Sequence, residues 1–188
     1  MCHYIRNGLK CPKRVLEIGL GMSFMVQCVM EHCGKRWGRQ KNSKRTPRYV
    51  SVELHAAVVD GARQYFGLRP PEEYARLHGA QHEVVVADAL EFLQVNGSTA
   101  AAGGEKFDLV MVDCFAGGAP SVPAACASDE FYSAVKRAMQ SGKRATFAQN
   151  AGDAKVLGRE LDAGPHKLRS MGGREIPQAQ SVQWHTFA

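Results

Sequence analysis

Five short apolar runs separated by helix-length segments constrain this chain more than any other feature. They are Arg14–Ile18 (RVLEI), Tyr49–Glu53 (YVSVE), Glu83–Ala87 (EVVVA), Phe107–Val112 (FDLVMV) and Arg144–Ala148 (RATFA). Each is rich in β-branched residues and mostly continuous instead of alternating, the pattern of strands covered on both faces. The segments between them read as helices at 23–33, 56–66, 89–95 and 129–140. In the last of these, Phe131, Val135, Ala138 and Met139 share a face and Ser128 stands ready to cap. Strand alternating with helix predicts an α/β fold with a central, mostly parallel sheet and helices on both faces. A further helix is expected at 154–161 and a final strand at 181–187.

With 188 residues, 45% hydrophobic and 22% charged, the chain fits one globular domain spanning 1–188 and excludes disorder, collagen and coiled coil. The longest apolar-leaning stretch, Ile18–Met30, has 13 residues, short of the roughly 18 that a membrane span needs. Met1–Lys13 contains no apolar run of the kind that a secretory signal carries. The expectation is a soluble, cytoplasmic chain without membrane contact.

The net charge of +6 is local. Seven basic residues and no acidic one fall within 34–48 (Lys35, Arg36, Arg39, Lys41, Lys44, Arg45, Arg48), so the rest of the chain sums to −1. Segments 34–47 and 97–104 (GSTAAAGG) read as loops, the second flexible. The six cysteines include no CxxC pair and the histidines no pair at zinc spacing, so free thiols are expected and no metal site.

In open α/β sheets, ligands bind outside the carboxyl ends of the strands. Here those ends carry Gly19-Leu20-Gly21, Glu53, Asp88, Asp113 and Asn150. Glycines permit a tight turn and close approach of a ligand to bare backbone. An acid after the second strand suits ribose hydroxyls, and Asp88 suits an adenine amino group. Together they predict an adenine-nucleoside site. A dinucleotide fingerprint would need a glycine where Phe24 stands, and no phosphate loop with GK[ST] occurs. S-adenosylmethionine, which has no phosphate, tolerates a turn holding the bulky Met22.

The segment VLEIGLG (15–21) resembles motif I of class I S-adenosylmethionine-dependent methyltransferases. VSVELHAAVVDGARQYFGL (50–68), VVVADALEFL (84–93) and the stretch FDLVMVDC…AVKRAM (107–139) are similar to the spermidine-synthase-like branch, whose core also occurs in methyltransferases that modify translation elongation factor 1-alpha. The resemblance implies a Rossmann-like methyltransferase fold with S-adenosylmethionine as cofactor. Glu17, Gly19 and Gly21 would line its methionine part, Glu53 and Leu54 its ribose side, and Asp88 and Ala89 its adenine. Asp113 would sit beside the reacting sulfonium.

Aminopropyltransferases of that branch carry an Asp in motif I where this chain has Met22, and a second one where it has Ala116. They also carry an N-terminal β-domain, against about 13 residues before the first strand here. These departures favour methyl transfer to a protein or small-molecule acceptor. The alternatives are aminopropyl transfer and a non-catalytic nucleoside-binding scaffold. Asp113 is the candidate catalytic residue for orienting or deprotonating a nucleophile, with Asn150 as a substrate-positioning neighbour. Glu17 and Glu53 are 36 residues apart, where about 20 is usual for the acid after strand two. Segment 34–48 is therefore expected to be an insertion, a solvated loop or a patch for an acidic or RNA partner. The family also suggests a homodimer.

Overall fold

The computed structural model describes residues 11–39, 46–101, 106–115, 122–140, 145–152, 168–170 and 181–187. The chain divides into two compact units, Met1–Asp88 and Ala89–Ala188.

In the first unit, β1 (Arg14–Ile18), β2 (Arg48–Glu53) and β3 (Gln81–Val86) form a parallel sheet in the order β3-β2-β1. All five residues of β1 are buried, the charged Arg14 and Glu17 among them, whereas β3 is partly exposed. Three helices complete this unit: α1 (Phe24–Arg39), α2 (Ala56–Tyr65) and α3 (Pro71–His78).

Helix α1 corrects the expected loop over 34–47, because it runs to Arg39. Val26, Val29, Met30, Cys33 and Trp37 are all buried, and their spacing carries one apolar stripe through the basic segment. Lys35 and Arg36 lie toward its C-terminal end, where cations complement the helix dipole. Arg48 opens β2, and residues 40–45 lie outside the described set. Helix α3 was not anticipated. Its signals are Pro71 at the start, Glu72 and Glu73 in the first turn, Arg76 and His78 in the last, and Gly79 in the left-handed conformation at φ 63°.

In the second unit, β4 (Leu109–Val112) pairs parallel with β5 (Thr146–Gly152). The expected last strand is present as β7 (Ser181–Phe187), antiparallel both to β5 and to an unanticipated β6 (Leu168–Ser170). Helix α4 (Ala89–Ala101) runs beyond the predicted short helix and takes in most of the expected flexible loop. Its single glycine, Gly97, costs only about 1 kcal/mol in a helix that the following alanines favour. Residues 102–105 and the helix expected at 154–161 lie outside the described set. Helix α5 (Asp129–Ala138) begins as predicted, with the Ser128 hydroxyl accepting from the Phe131 amide at 3.2 Å. Its buried face is Phe131, Tyr132, Ala134, Val135 and Ala138.

The free-thiol expectation is overturned. Cys11 is bonded to Cys33, and Cys114 to Cys126; Cys28 is also disulfide-bonded. Spacing did not reveal these pairs, because they join residues from different elements. Among the described residues no helix is long and apolar enough to cross a membrane, and no cluster of His, Cys, Asp or Glu could hold a metal ion.

Candidate functional site

The glycine turn after β1 is fixed by β2. The Gly19 amide donates to the Val52 carbonyl at 2.9 Å. Glu53 Oε2 accepts from the amides of Leu20 at 3.0 Å and Gly21 at 3.5 Å, and Glu53 Oε1 accepts from the His55 amide at 3.1 Å. Gly19 and Gly21 have φ of 87° and 49°, values that L side chains rarely adopt. A Cβ placed on Gly21 would meet nothing within 4 Å, so the space over the bare turn is open.

Ser23 was not anticipated. It takes φ 60° without being glycine and is fully buried. Its hydroxyl accepts from Gln27 Nε2 at 2.8 Å, and Gln27 also donates to the Phe66 carbonyl at 2.7 Å. These bonds tie the turn to the segment after α2.

This arrangement fits an adenine nucleoside. Glu53 is only 8% exposed, and each of its carboxylate oxygens has two lone pairs. Oε1 accepts one protein bond, which leaves capacity for a hydroxyl. The next residue, Leu54, is exposed, an apolar surface beside the acid. Asp88 follows β3 and is exposed.

Glu17 is placed differently from its expected position at the ligand edge. It is 1% exposed, and its Oε2 accepts from the Ser51 hydroxyl at 2.8 Å. Ser51 Oγ lies 3.0 Å from His82 Nε2. The serine proton is committed to Glu17, so a neutral His82 carries its proton on Nε2 and donates to Ser51. Burial lowers the His82 pKa to about 4. Tyr49 belongs to the same cluster, its pKa raised well above the usual value by burial first and the Glu17 charge second. Burial also raises that of Tyr74, whose ring meets His82 edge-on at 4.9 Å. Register brings the group together, since Glu17 pairs with Ser51 and Tyr49 with His82. The signal available beforehand was Glu17 in β1 and Ser51 in β2, polar residues within buried strands that require buried partners.

In the second unit Asp113 follows β4 and is half-buried. Asn150 Nδ2 donates to Asp113 Oδ1 at 2.9 Å, so two residues singled out separately in the sequence form one pair. Asn150 lies inside β5, not at its end, beside a register shift opposite β7. Ala89 opens α4.

Three solved structures of similar architecture are methyltransferases. Human methyltransferase-like protein 13 in complex with SAH superposes with a TM-score of 0.68 at 17% identity, covering 100% of this chain and 76% of that one. An rRNA methylase from Streptococcus thermophilus gives 0.54 at 8% identity, covering 99% and 93%. CalS11, a TDP-rhamnose 3'-O-methyltransferase of calicheamicin biosynthesis, gives 0.54 at 13%, covering 97% and 74%. The fold is therefore the α/β, Rossmann-like fold of class I methyltransferases. Within that fold, the spermine/spermidine synthase domain pattern matches residues 1–154, and the chain belongs to that family. No curated protein matches it by sequence.

Proposed function

We propose that this protein is an S-adenosylmethionine-dependent methyltransferase of the spermidine-synthase-like type, acting on a protein or small-molecule acceptor. The observation that carries the reading is the Glu53 carboxylate bonded to the Leu20 and Gly21 amides under an open glycine turn. Gly19, Gly21, Glu53, Leu54 and Asp88 would hold the cofactor. Glu17, Ala89 and Asp113 keep the roles that the family pattern gives them, with Glu17 acting through backbone because its carboxylate is buried. The cofactor supplies a methyl group on a sulfonium, a leaving group needing no activation by the protein. The chain's task is to orient the nucleophile and exclude water. Asp113, held by Asn150, would orient it or take its proton.

Aminopropyl transfer is the second reading, favoured by the family to which the chain belongs. Against it, the turn presents the apolar Met22, 51% exposed, where a carboxylate would serve a cationic amine. Titration calorimetry with S-adenosylmethionine, S-adenosylhomocysteine (SAH) and the decarboxylated cofactor tests both. Micromolar binding of the first two supports methyl transfer, preference for the third supports aminopropyl transfer, and binding of none refutes both.

For the basic segment, an acidic protein partner is a better proposal than RNA. Lys35 and Arg36 are exposed on α1, but Trp37, the aromatic residue within that stretch, is 6% exposed and not available to stack on bases. A homodimer is a further proposal, tested by light scattering. Cytoplasmic location also stays a proposal. Disulfides are rare in that compartment, and those that form there are mostly catalytic or redox-sensing.

A further inference from the structure

The segment after β4 is held by a closed circuit of bonds within the second unit. Asp113 Oδ1 accepts from Asn150 at 2.9 Å. The preceding residue of β5, Gln149, is fully buried and donates from Nε2 to the Cys126 carbonyl at 2.9 Å. Its Oε1 accepts from the Tyr132 hydroxyl on α5, also at 2.9 Å. Cys126 ends a 3-10 turn (Ala124–Cys126) just before the Ser128 cap of α5. The disulfide from Cys126 returns to Cys114, the residue next to Asp113. Two neighbouring amide side chains of β5 therefore grip both ends of the bridged segment. The covalent link couples the position of Asp113 to the buried Cys126, whose carbonyl Gln149 holds just before α5.

We propose that the Cys114–Cys126 disulfide is a redox-sensitive latch that sets the position of Asp113. The relevance of the latch to ligand binding rests on the assignment of Asp113 to the cofactor site. A dithiol would open it. One thiolate attacks Sγ of Cys114, the more exposed of the two residues, and the Cys126 thiolate leaves. The second thiol of the reductant then displaces Cys114. Both cysteines end as thiols, having gained two electrons and two protons, and the dithiol ends as its own disulfide. Asp113 then keeps its Asn150 bond but loses the tether that fixes the next residue.

The test uses the full chain, air-oxidised or treated with dithiothreitol, with Cys126→Ser and Cys114→Ser removing this bridge alone and Cys33→Ser as the control bridge. Amide hydrogen exchange at 113–115 should quicken tenfold or more on reduction and in either latch variant, but not in Cys33→Ser. SAH affinity should fall by at least tenfold on reduction. By linkage, SAH should shift the midpoint of this disulfide by about 30 mV to more negative potential for each tenfold. Unchanged exchange at 113–115, or an equal change in Cys33→Ser, overturns the latch. SAH binding without a shift in midpoint also overturns it, because the bridge is then a structural staple. If oxidised wild type binds no SAH, the cofactor assignment fails, and the exchange result alone decides whether the latch stands. The reduced wild type provides the measurement if a serine variant does not fold.

Discussion

Glu53 Oε2 accepts the Leu20 amide proton at 3.0 Å across 33 residues of sequence. The acid expected to meet a ribose therefore also holds the glycine turn in shape. Substitution at this position acts on the fold and on the ligand together, and the two effects can be separated.

Glu53→Gln keeps the size and removes the charge. One carboxylate oxygen becomes an NH2 group, which cannot accept from a backbone amide. The expected loss is about 2 kcal/mol of stability, the scale of a hydrogen bond to a charged group, read by urea denaturation. SAH affinity should fall by tenfold or more in calorimetry at a temperature where the variant is fully folded. Equal affinity in the variant would remove Glu53 from the site.

His82 should impose a pH dependence on stability. Its folded pKa, about 4, lies below the ordinary value near 6.5, because burial favours the neutral ring. Between those values the unfolded chain binds more protons than the folded one. Stability is therefore full above about pH 6.5 and falls as pH drops toward 4, by up to roughly 3 kcal/mol. Denaturation midpoints measured from pH 7.5 to 4.5 should show this slope, and His82→Gln should flatten it. A slope unchanged in the variant would assign the acid sensitivity to other groups.

Gly34 marks a close approach of α1 to α3. A Cβ there would overlap the Nδ1 and Cγ atoms of the His78 ring and lie 3.0 Å from the His78 Cβ, and rotation of the ring does not remove that last contact. Although alanine is the better helix former, Gly34→Ala should destabilise the first unit by about 1–3 kcal/mol, the usual cost of overpacking. A higher melting temperature for Gly34→Ala would show that α3 moves aside freely.

Tyr132→Phe removes the donor to Gln149 and leaves a buried amide oxygen unpaired. The expected cost is about 1–3 kcal/mol in chemical denaturation. SAH binding should be retained, since the Asn150 bond and the Cys114–Cys126 bridge both still hold Asp113 and its neighbour. Ser128→Ala serves as a comparison, losing only the α5 cap, about 1 kcal/mol.

Local pattern was enough to locate β1 to β5, β7 and the Ser128 cap, but not β6. Short, mostly apolar runs rich in β-branched residues mark where backbone is extended, and a hydroxyl before Asp129 fixes where a helix starts. The stripe from Val26 to Trp37 and the Pro71–Gly79 signals were legible too, but the run of basic residues obscured the first and the absence of a long apolar face the second. Glu53, Asp88 and Asp113 could be listed from the sequence because strand ends follow from strand positions, whereas Asn150 falls inside β5, which runs on to Gly152.

Only the tertiary structure decided which side chains meet. Glu17 turns to Ser51 instead of the ligand edge, Ser51 meets His82, Glu53 reaches Leu20, Asp113 reaches Asn150, and the cysteines pair across elements. The side-chain bonds among these contacts join residues 31 to 37 apart. Periodicity reports the state of the local backbone, whereas partners at that distance are set by sheet register and by the path of the crossover helices, which no local pattern encodes.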